Sequence, residues 1–413
     1  MISNRMDASA RLSASLMVTM LVFAACGTPE PTPVPDADPA DYLFVWAGDV
    51  DGAESDFLAV IDARADAPSY GDVVATLPVG AFLSEPHHTE YEFPVGDTLF
   101  ANGWTTGQTF VMNLSNPLRP ELVASVESVG GYWYPHAYAR LPDGGVLATM
   151  QSAGPDYAPI GGLAEMGPRG DTRRVASAAS AQLDSSLTWP YSLAVVPGLN
   201  RVVSTNSDMG RVPFNEWSYH YTYHVQTWSL DPLELVATVP LPESGTGEHH
   251  FAPNEPRVLA DGTVYVNTFG CGLYRLDDVA SRAPTATLVH TFPGGLEPGQ
   301  ECAVPVVVGD WYIQTVPALP GLIVLDVSNP LEPVEAFRYP MDTMPHWVAA
   351  DRTSNRLVVT GMSMSRVDIL TFDPNTGTIA PGGPSISFDR AEWPHGASGK
   401  AVVHGALFGT PRQ

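Results

Sequence analysis

Lysine is nearly absent from this 413-residue sequence. Lys400 is the only lysine, and the sequence has 20 lysine and arginine residues in total against 45 aspartate and glutamate residues. With a formal net charge of −25, no basic surface is available to neutralise the phosphates of a nucleic acid. Docking of basic side chains on an anionic lipid surface is disfavoured for the same reason. The balance predicts an acidic, well-solvated surface and argues against nucleic-acid partners.

Two common catalytic signatures are also missing. The sequence contains no G-x-S-x-G motif, which marks the nucleophile turn of many hydrolases. It also has no glycine-rich nucleotide motif after a strand-like segment. These absences direct attention to the residues that recur along the chain.

The first 26 residues have the features of a lipoprotein-type signal peptide. Arg5 and Arg11 precede the apolar stretch LSASLMVTMLVFAACG, which has small residues just before Cys26. The sequence VFAAC-G resembles a bacterial lipobox, in which the cysteine is lipidated. Residues 27–41 are rich in proline and acidic residues, and we expect a disordered tether there. The protein is therefore expected to be exported to the periplasm or cell envelope and attached to the membrane only through an N-terminal lipid, with ordinary secretion as the alternative.

Only two cysteines remain after that segment, Cys271 and Cys302. In an oxidising compartment, two cysteines often form one disulfide, and the repeat described next places both near one face of neighbouring units. We expect a disulfide here, while a thiolate ligand at Cys302 is the alternative.

A repeated unit runs through residues 42–413. Short segments rich in Val, Thr, Tyr and Leu alternate with turns such as PDGG and LADGT, which is typical of an all-β fold. Each unit starts with Pro or Glu and a polar residue, followed by a strand, a turn and a second strand. The polar residues are 44 to 58 residues apart, and they are His87, His136, Tyr191, His249, Cys302, His346 and His395. We predict a seven-bladed β-propeller, closed by strands from both ends of the chain.

Histidine occupies five of these seven positions. The innermost strands of a propeller begin near its axis, so residues at one repeat position form a ring. Imidazole binds Cu, Zn and Fe, and a ring of histidines can hold one ion with an open position. The sequence therefore predicts a metal site. His88, which follows His87, joins it if the chain is bulged; on a regular strand it would point away. The same choice applies to His250, whereas His220, His224, His290 and His404 are expected to be structural.

The segments DFLAVIDARADAPSYGDVVATLPVG, HH and FVMNLSNPLRPELVASV are similar to the first part of the selenium-binding protein family, whose bacterial members include methanethiol oxidases. The resemblance implies a seven-bladed propeller with copper held by axial histidines. Methanethiol oxidases convert methanethiol, oxygen and water into formaldehyde, hydrogen sulfide and hydrogen peroxide. On this resemblance, His87, His88, His136 and His395 match the family's histidines. The family's cysteine-rich stretch after the paired histidines is replaced here by TEYEFPVGD.

Three functions follow as hypotheses. The first is an exported copper oxidase of a small thiol, with oxygen as the second substrate and a ligand set drawn from His87, His88, His136, His249, His346 and His395. The second is a non-catalytic lipoprotein that uses the propeller as a binding or scaffold module. The third is a non-haem iron oxygenase, which differs from the first in its metal.

Overall fold

The computed structural model describes residues 37–94, 96–183, 188–210, 222–297, 299–361 and 364–412. Within these ranges the regular secondary structure is almost entirely β-strand. One short 3-10 helix, Pro39–Asp41, comes first, and 29 strands follow. They are arranged in seven sheets.

The strands are numbered β1 to β29 in chain order. The first group is β1 (Tyr42–Asp49), β2 (Phe57–Asp62) and β3 (Val73–Pro78). Blade 2 comprises β4 (Pro86–Thr89), β5 (Thr98–Gly103), β6 (Gln108–Asn113) and β7 (Glu121–Val126). Blade 3 comprises β8 (Trp133–Arg140), β9 (Val146–Ser152), β10 (Gly162–Met166) and β11 (Thr172–Ser177). Blade 4 comprises β12 (Pro190–Val196), β13 (Arg201–Asn206), β14 (His224–Ser229) and β15 (Glu234–Pro240).

The second half of the chain continues the series. Blade 5 comprises β16 (Pro253–Val258), β17 (Val264–Thr268), β18 (Gly272–Asp277) and β19 (Thr285–Thr291). Blade 6 comprises β20 (Val306–Val308), β21 (Trp311–Val316), β22 (Gly321–Asp326) and β23 (Val334–Pro340). Blade 7 comprises β24 (Trp347–Ala350), β25 (Arg356–Thr360), β26 (Arg366–Asp373) and β27 (Thr378–Ser387). The last strands are β28 (Asp389–Arg390) and β29 (Gly399–Phe408).

Blade 1 is built from both ends of the chain. Its strand order is β28-β29-β1-β2-β3, and β29 pairs antiparallel with β1, so that Leu43 lies opposite Phe408 and Ala47 opposite Val403. Closure by strands from the two ends removes the exposed edges that an open ring would leave. The sequence-based prediction of a seven-bladed propeller is confirmed.

Strand β1 shows how each blade is held between its neighbours. Leu43 and Val45 pack in one apolar cluster with side chains of blade 7, including Trp347. Phe44 and Trp46 point to the other face and join a cluster with blade 2. Successive side chains of a strand point to opposite faces, so burial on both faces requires a continuous apolar run. The sequence YLFVWAG meets that requirement, and every residue of β1 is buried.

The signal peptide and its lipidation site, Cys26, lie outside the described residues. Residues 37–41, which the sequence assigns to the tether, are ordered: they include the short helix Pro39–Asp41, and Arg412 donates a hydrogen bond to the carbonyl of Ala37 at 2.9 Å. No helix in the described part of the chain is long and apolar enough to cross a membrane.

Candidate metal centre

A β-bulge opens the innermost strand of four consecutive blades. In blade 2, Pro86 pairs with Gly103 but Thr89 pairs with Ala101, so three steps on one strand match two on the other. The same shift follows Pro135 within β8 and the prolines that begin β12 and β16. A bulge interrupts the alternation of side chains along a strand. His87 and His88 therefore face the same region, with their rings stacked 4.7 Å apart.

Polar side chains on the second strand of each blade hold these bulges in place. Asn102 accepts a hydrogen bond from the backbone N–H of His88 at 2.6 Å and donates one to the carbonyl of Pro135 in the next blade at 2.7 Å. Three further side chains make the same pair of bonds, one within the blade and one to the next: Thr149, Thr205 and Asn267. We call these four the latch residues. They satisfy backbone groups that the bulge leaves without ladder partners.

Five histidine side chains meet at the centre of the ring. His87 Nε2 lies 3.1 Å from His136 Nε2, and ligand nitrogens of His87, His88 and His136 all lie within 4.8 Å of one another. The ring of His404 is 4.1 Å from that of His87 and 4.6 Å from that of His346, measured between centroids. Three innermost strands and the residue preceding β24 supply these five side chains.

The five imidazoles are neutral in the folded protein. His87, His88, His136 and His404 are buried, and the loss of hydration lowers the pKa of each well below the usual value, with neighbouring histidines lowering it further. His346 is half-buried, and desolvation alone lowers its pKa to about 4. A neutral imidazole has one nitrogen lone pair free, which is the form that binds metal.

Aromatic rings fix the orientation of the cluster. Tyr191, the polar residue of the repeat in blade 4, lies with its ring centroid 3.7 Å from that of His136. The indole of Trp347 meets the edge of His88 at 5.2 Å, and the Trp104 indole lies 5.8 Å from His136. These apolar rings restrict both water and ring rotation around the histidines.

The cluster satisfies a simple fit test for a metal ion. Ligand nitrogens sit about 2.0–2.1 Å from zinc, with similar lengths for copper, so two nitrogens on one ion are about 2.9–3.3 Å apart for angles between 90° and 109°. The 3.1 Å separation of the His87 and His136 Nε2 atoms falls in this interval. In addition, the buried Nε2 atoms of His88 and His346 have no hydrogen-bond partner among the described residues. Buried polar atoms are normally paired, so these nitrogens point to a ligand.

The structure places two of the expected ligands outside the cluster. His249 precedes β16, and its Nδ1 donates a hydrogen bond to the carbonyl of Gly270 at 2.6 Å. Strand pairing puts Pro253 and Asn254 at the repeat position of this blade, five residues after the position inferred from sequence. His395 lies before β29, with Nδ1 2.7 Å from Thr76 Oγ1 and its ring against Phe57.

His404, which the sequence predicts to be structural, is brought into the cluster because β29 takes the inner position of blade 1, in contact with β4 of blade 2 and β24 of blade 7. The other histidines lie apart from it. His250 packs against Tyr223, His224 is buried with its pKa lowered by burial to about 4, and His290 packs against Phe292. His220 lies outside the described residues.

Cys271 and Cys302 form a disulfide with a Cα–Cα distance of 5.0 Å. Cys271 precedes β18 in blade 5 and Cys302 precedes β20 in blade 6, so the bond joins adjacent blades. The sulfur of Cys302 is therefore not a free thiolate in this structure.

Comparison with known proteins gives one sequence match and many structural ones. No family model matches the chain. Methanethiol oxidase from Ruegeria pomeroyi is 28% identical over 140 residues, which are 32% of this chain and 31% of that protein. The chain resembles methanethiol oxidase. The match spans about a third of the length of this curated relative.

Solved structures support the fold. A hypothetical selenium-binding protein from Sulfolobus tokodaii aligns with a TM-score of 0.71 at 14% identity, covering 90% of this chain and 97% of that one. A periplasmic gluconolactonase from Pseudomonas aeruginosa aligns with a TM-score of 0.62 at 15% identity, covering 87% and 97%. At such identities the likeness shows a shared fold, and the resemblance in sequence is to methanethiol oxidase.

Proposed function

We propose that the protein is an exported, copper-dependent oxidase of a small thiol such as methanethiol. The observation that carries this proposal is the cluster of five imidazoles at the propeller axis, four of them buried, whose pKa values are lowered by desolvation. In it, His87, His88 and His136 would hold the ion, and the rings of His346 and His404 lie beside them, with centroids 6.5 Å and 4.1 Å from that of His87. An all-imidazole donor set suits copper, and the similarity to methanethiol oxidase favours copper over iron.

In the proposed reaction, methanethiol, dioxygen and water are consumed in equal amounts and give formaldehyde, hydrogen sulfide and hydrogen peroxide in equal amounts. The carbon is oxidised by two electrons, the C–S bond breaks, and sulfur leaves as hydrogen sulfide. Water supplies the oxygen atom of formaldehyde, and the two electrons reduce dioxygen to hydrogen peroxide. Copper, when bound, would supply thiolate affinity and one-electron redox chemistry.

The protein's own contribution is geometric and electrostatic. The neutral histidines present lone pairs without first losing protons, because burial keeps their pKa values low. Trp104, Tyr191 and Trp347 surround the imidazoles with apolar surface, which limits access of bulk water. The bulged strand that carries His87 and His88 lets one segment provide two adjacent ligands.

Export is part of the same proposal. A disulfide between Cys271 and Cys302 suits an oxidising compartment, and the signal-like first 26 residues suit lipid attachment at Cys26. Such a location would give the enzyme direct access to thiol and oxygen that diffuse into the cell envelope.

The proposal is tested by measuring bound metal with elemental mass spectrometry on protein expressed as residues 27–413 in the periplasm. We expect about one copper per chain, which should be absent from the His87→Ala/His136→Ala variant. The control is His290→Ala, a histidine outside the cluster, which should retain the metal.

Copper-loaded protein should then form formaldehyde and hydrogen peroxide from methanethiol in equal amounts. Stoichiometric iron instead of copper would favour an oxygenase. Failure to retain metal after reconstitution with either ion would overturn both enzyme functions and leave a binding module.

A further inference from the structure

A buried polar network lies against the histidine cluster and is not explained by metal ligation alone. Tyr91 OH is 3.2 Å from His88 Nδ1 and donates a hydrogen bond to Glu255 Oε2 at 2.6 Å. Ser192 Oγ donates to the same carboxylate oxygen at 2.7 Å, and Arg257 donates to it at 2.9 Å. The two central side chains, Tyr91 and Glu255, belong to different blades and are 164 residues apart in the sequence.

Proton counting fixes the direction of the first bond. A carboxylate only accepts hydrogen bonds, so the single phenolic proton of Tyr91 is directed to Glu255. The phenolic oxygen then faces His88 as an acceptor, and Nδ1 of His88 must carry the imidazole proton. The neutral ring has its lone pair on Nε2, the buried atom with no hydrogen-bond partner among the described residues.

The position of the Tyr91 hydroxyl is itself tightly held. Its ring stacks on Trp347 at 5.2 Å with planes 14° apart, and the guanidinium of Arg257 lies over the ring, 4.1 Å from its centroid. The Nε of Arg257 also donates to the carbonyl of Pro305 at 3.0 Å, which prevents the cation from turning away. A phenol packed against two planar groups has little freedom to move away from His88.

We propose that Tyr91 and Glu255 are positioning residues that lock His88 in its Nδ1–H tautomer and thereby direct Nε2 to the metal. The inference rests on the proposed metal site, which it deepens by assigning the ligand atom of one histidine. Glu255 also places a negative charge near the ligand, since its Oε1 lies 4.0 Å from His88 Nδ1. Carboxylates that act on a metal ligand through a hydrogen-bonded partner typically change metal affinity about 10–100-fold.

The first test needs no metal. Long-range proton–nitrogen NMR correlations of the metal-free protein report which ring nitrogen of each histidine is protonated, and the His88→Gln variant assigns the His88 signals. We expect an Nδ1–H tautomer for His88 in the wild-type protein and a mixture, or the Nε2–H form, in Tyr91→Phe. A wild-type His88 protonated at Nε2, or a tautomer that Tyr91→Phe leaves unchanged, would overturn the inference.

The second test measures the affinity for Cu²⁺ and Zn²⁺ by competition with a chelator. Tyr91→Phe keeps the ring that contacts Trp347 and Arg257 but removes the hydroxyl, and we expect it to weaken binding about 10–100-fold. Tyr138→Phe is the matched control, because it also removes a buried hydroxyl, which bonds Thr109 at 2.8 Å. It should change the affinity less than threefold; an equal loss in both variants would mean that Tyr91 acts only on stability.

A further variant distinguishes the effect of the Tyr91–His88 hydrogen bond from that of the other hydrogen bonds to Glu255. Ser192→Ala removes one hydrogen bond to Glu255 and a 3.0 Å contact with the Tyr91 hydroxyl, but it leaves the bond from Tyr91 to Glu255 in place, so the His88 tautomer should be unchanged. If the wild-type protein binds no metal while His88 is still in the Nδ1–H form, the proposed oxidase fails and the tautomer assignment stands.

Discussion

At the scale of single residues, the role of a histidine depends on which strand carries it and where that strand starts. His404 is the sixth residue of β29, whereas His395 lies in the loop before it, bonded to Thr76. Both follow strand-like sequence, but only β29 lies innermost in blade 1. The ring of His404 consequently packs against His87 and His346, and the ring of His395 packs against Phe57.

This difference gives a direct comparison of two substitutions. His404→Ala should lower the affinity for copper at least about tenfold, because it removes an imidazole from the cluster, whereas His395→Ala should leave the affinity within about threefold. Competition titration of the two purified variants measures both values. The reverse order would restore His395, the ligand expected from sequence, and exclude His404.

At the scale of strands, the latch residues explain how a bulge can be repeated around the ring. Each bulge turns backbone N–H and C=O groups away from the strand ladder. A side chain on the second strand then forms a hydrogen bond with one N–H of its own blade and with one carbonyl of the next blade. The bond to the next blade also fixes the spacing between adjacent innermost strands. The latches thus hold the histidine-bearing segments at a defined distance from the axis.

Removal of one latch should destabilise the whole protein. Asn102→Ala leaves the N–H of His88 and the carbonyl of Pro135 without their buried partner, which should lower the free energy of unfolding by about 2–4 kcal/mol. Urea unfolding followed by tryptophan fluorescence measures the change. The control is Asn375→Ala in an exposed turn, for which a change within about 0.5 kcal/mol is expected. Similar losses in the two variants would contradict the latch.

The strands could be predicted from the sequence further than their register could. Period-2 apolar patterns and regular turns are local signals, so the seven blades and their closure follow from them. Register depends on how strands pair, which is not a local signal. In blade 5 the sequence predicts His249 as the polar residue that precedes the innermost strand, whereas that strand begins at Pro253, opposite Thr268. A usable signal exists: Asn or Thr stands just before the residue that pairs with the proline, as with Asn102, Thr205 and Asn267.

The network around Tyr91 could not be predicted in this way. Tyr91, Ser192 and Glu255 come from three blades, and no local pattern in the sequence joins them. Only closure of the ring brings them together beside His88. The disulfide could be predicted from the cysteine count alone, because Cys271 and Cys302 allow only one intramolecular pairing.

At the scale of the whole molecule, the stability of the metal-free protein should depend on pH in a particular direction. The five axial histidines remain neutral when folded, because burial lowers their pKa values, to about 4 for His346. Unfolded histidine has a pKa of about 6.5. Below that pH these histidines bind protons in the unfolded chain but not in the folded protein, so the free energy of unfolding falls as the pH is lowered. Above it, neither state binds a proton there and the contribution is constant.

Each such histidine contributes a slope of up to about 1.4 kcal/mol per pH unit between the unfolded and folded pKa values. The net charge of −25 acts the other way, because acidification reduces repulsion among carboxylates. A variant isolates the histidine contribution from this background. Metal-free His87→Gln/His136→Gln should lose less stability than the wild-type protein between about pH 6.5 and 5, by up to about 3 kcal/mol per pH unit. Chemical unfolding at several pH values with a chelator present measures both curves; parallel curves would show that these histidines take up protons in the folded protein as they do in the unfolded chain.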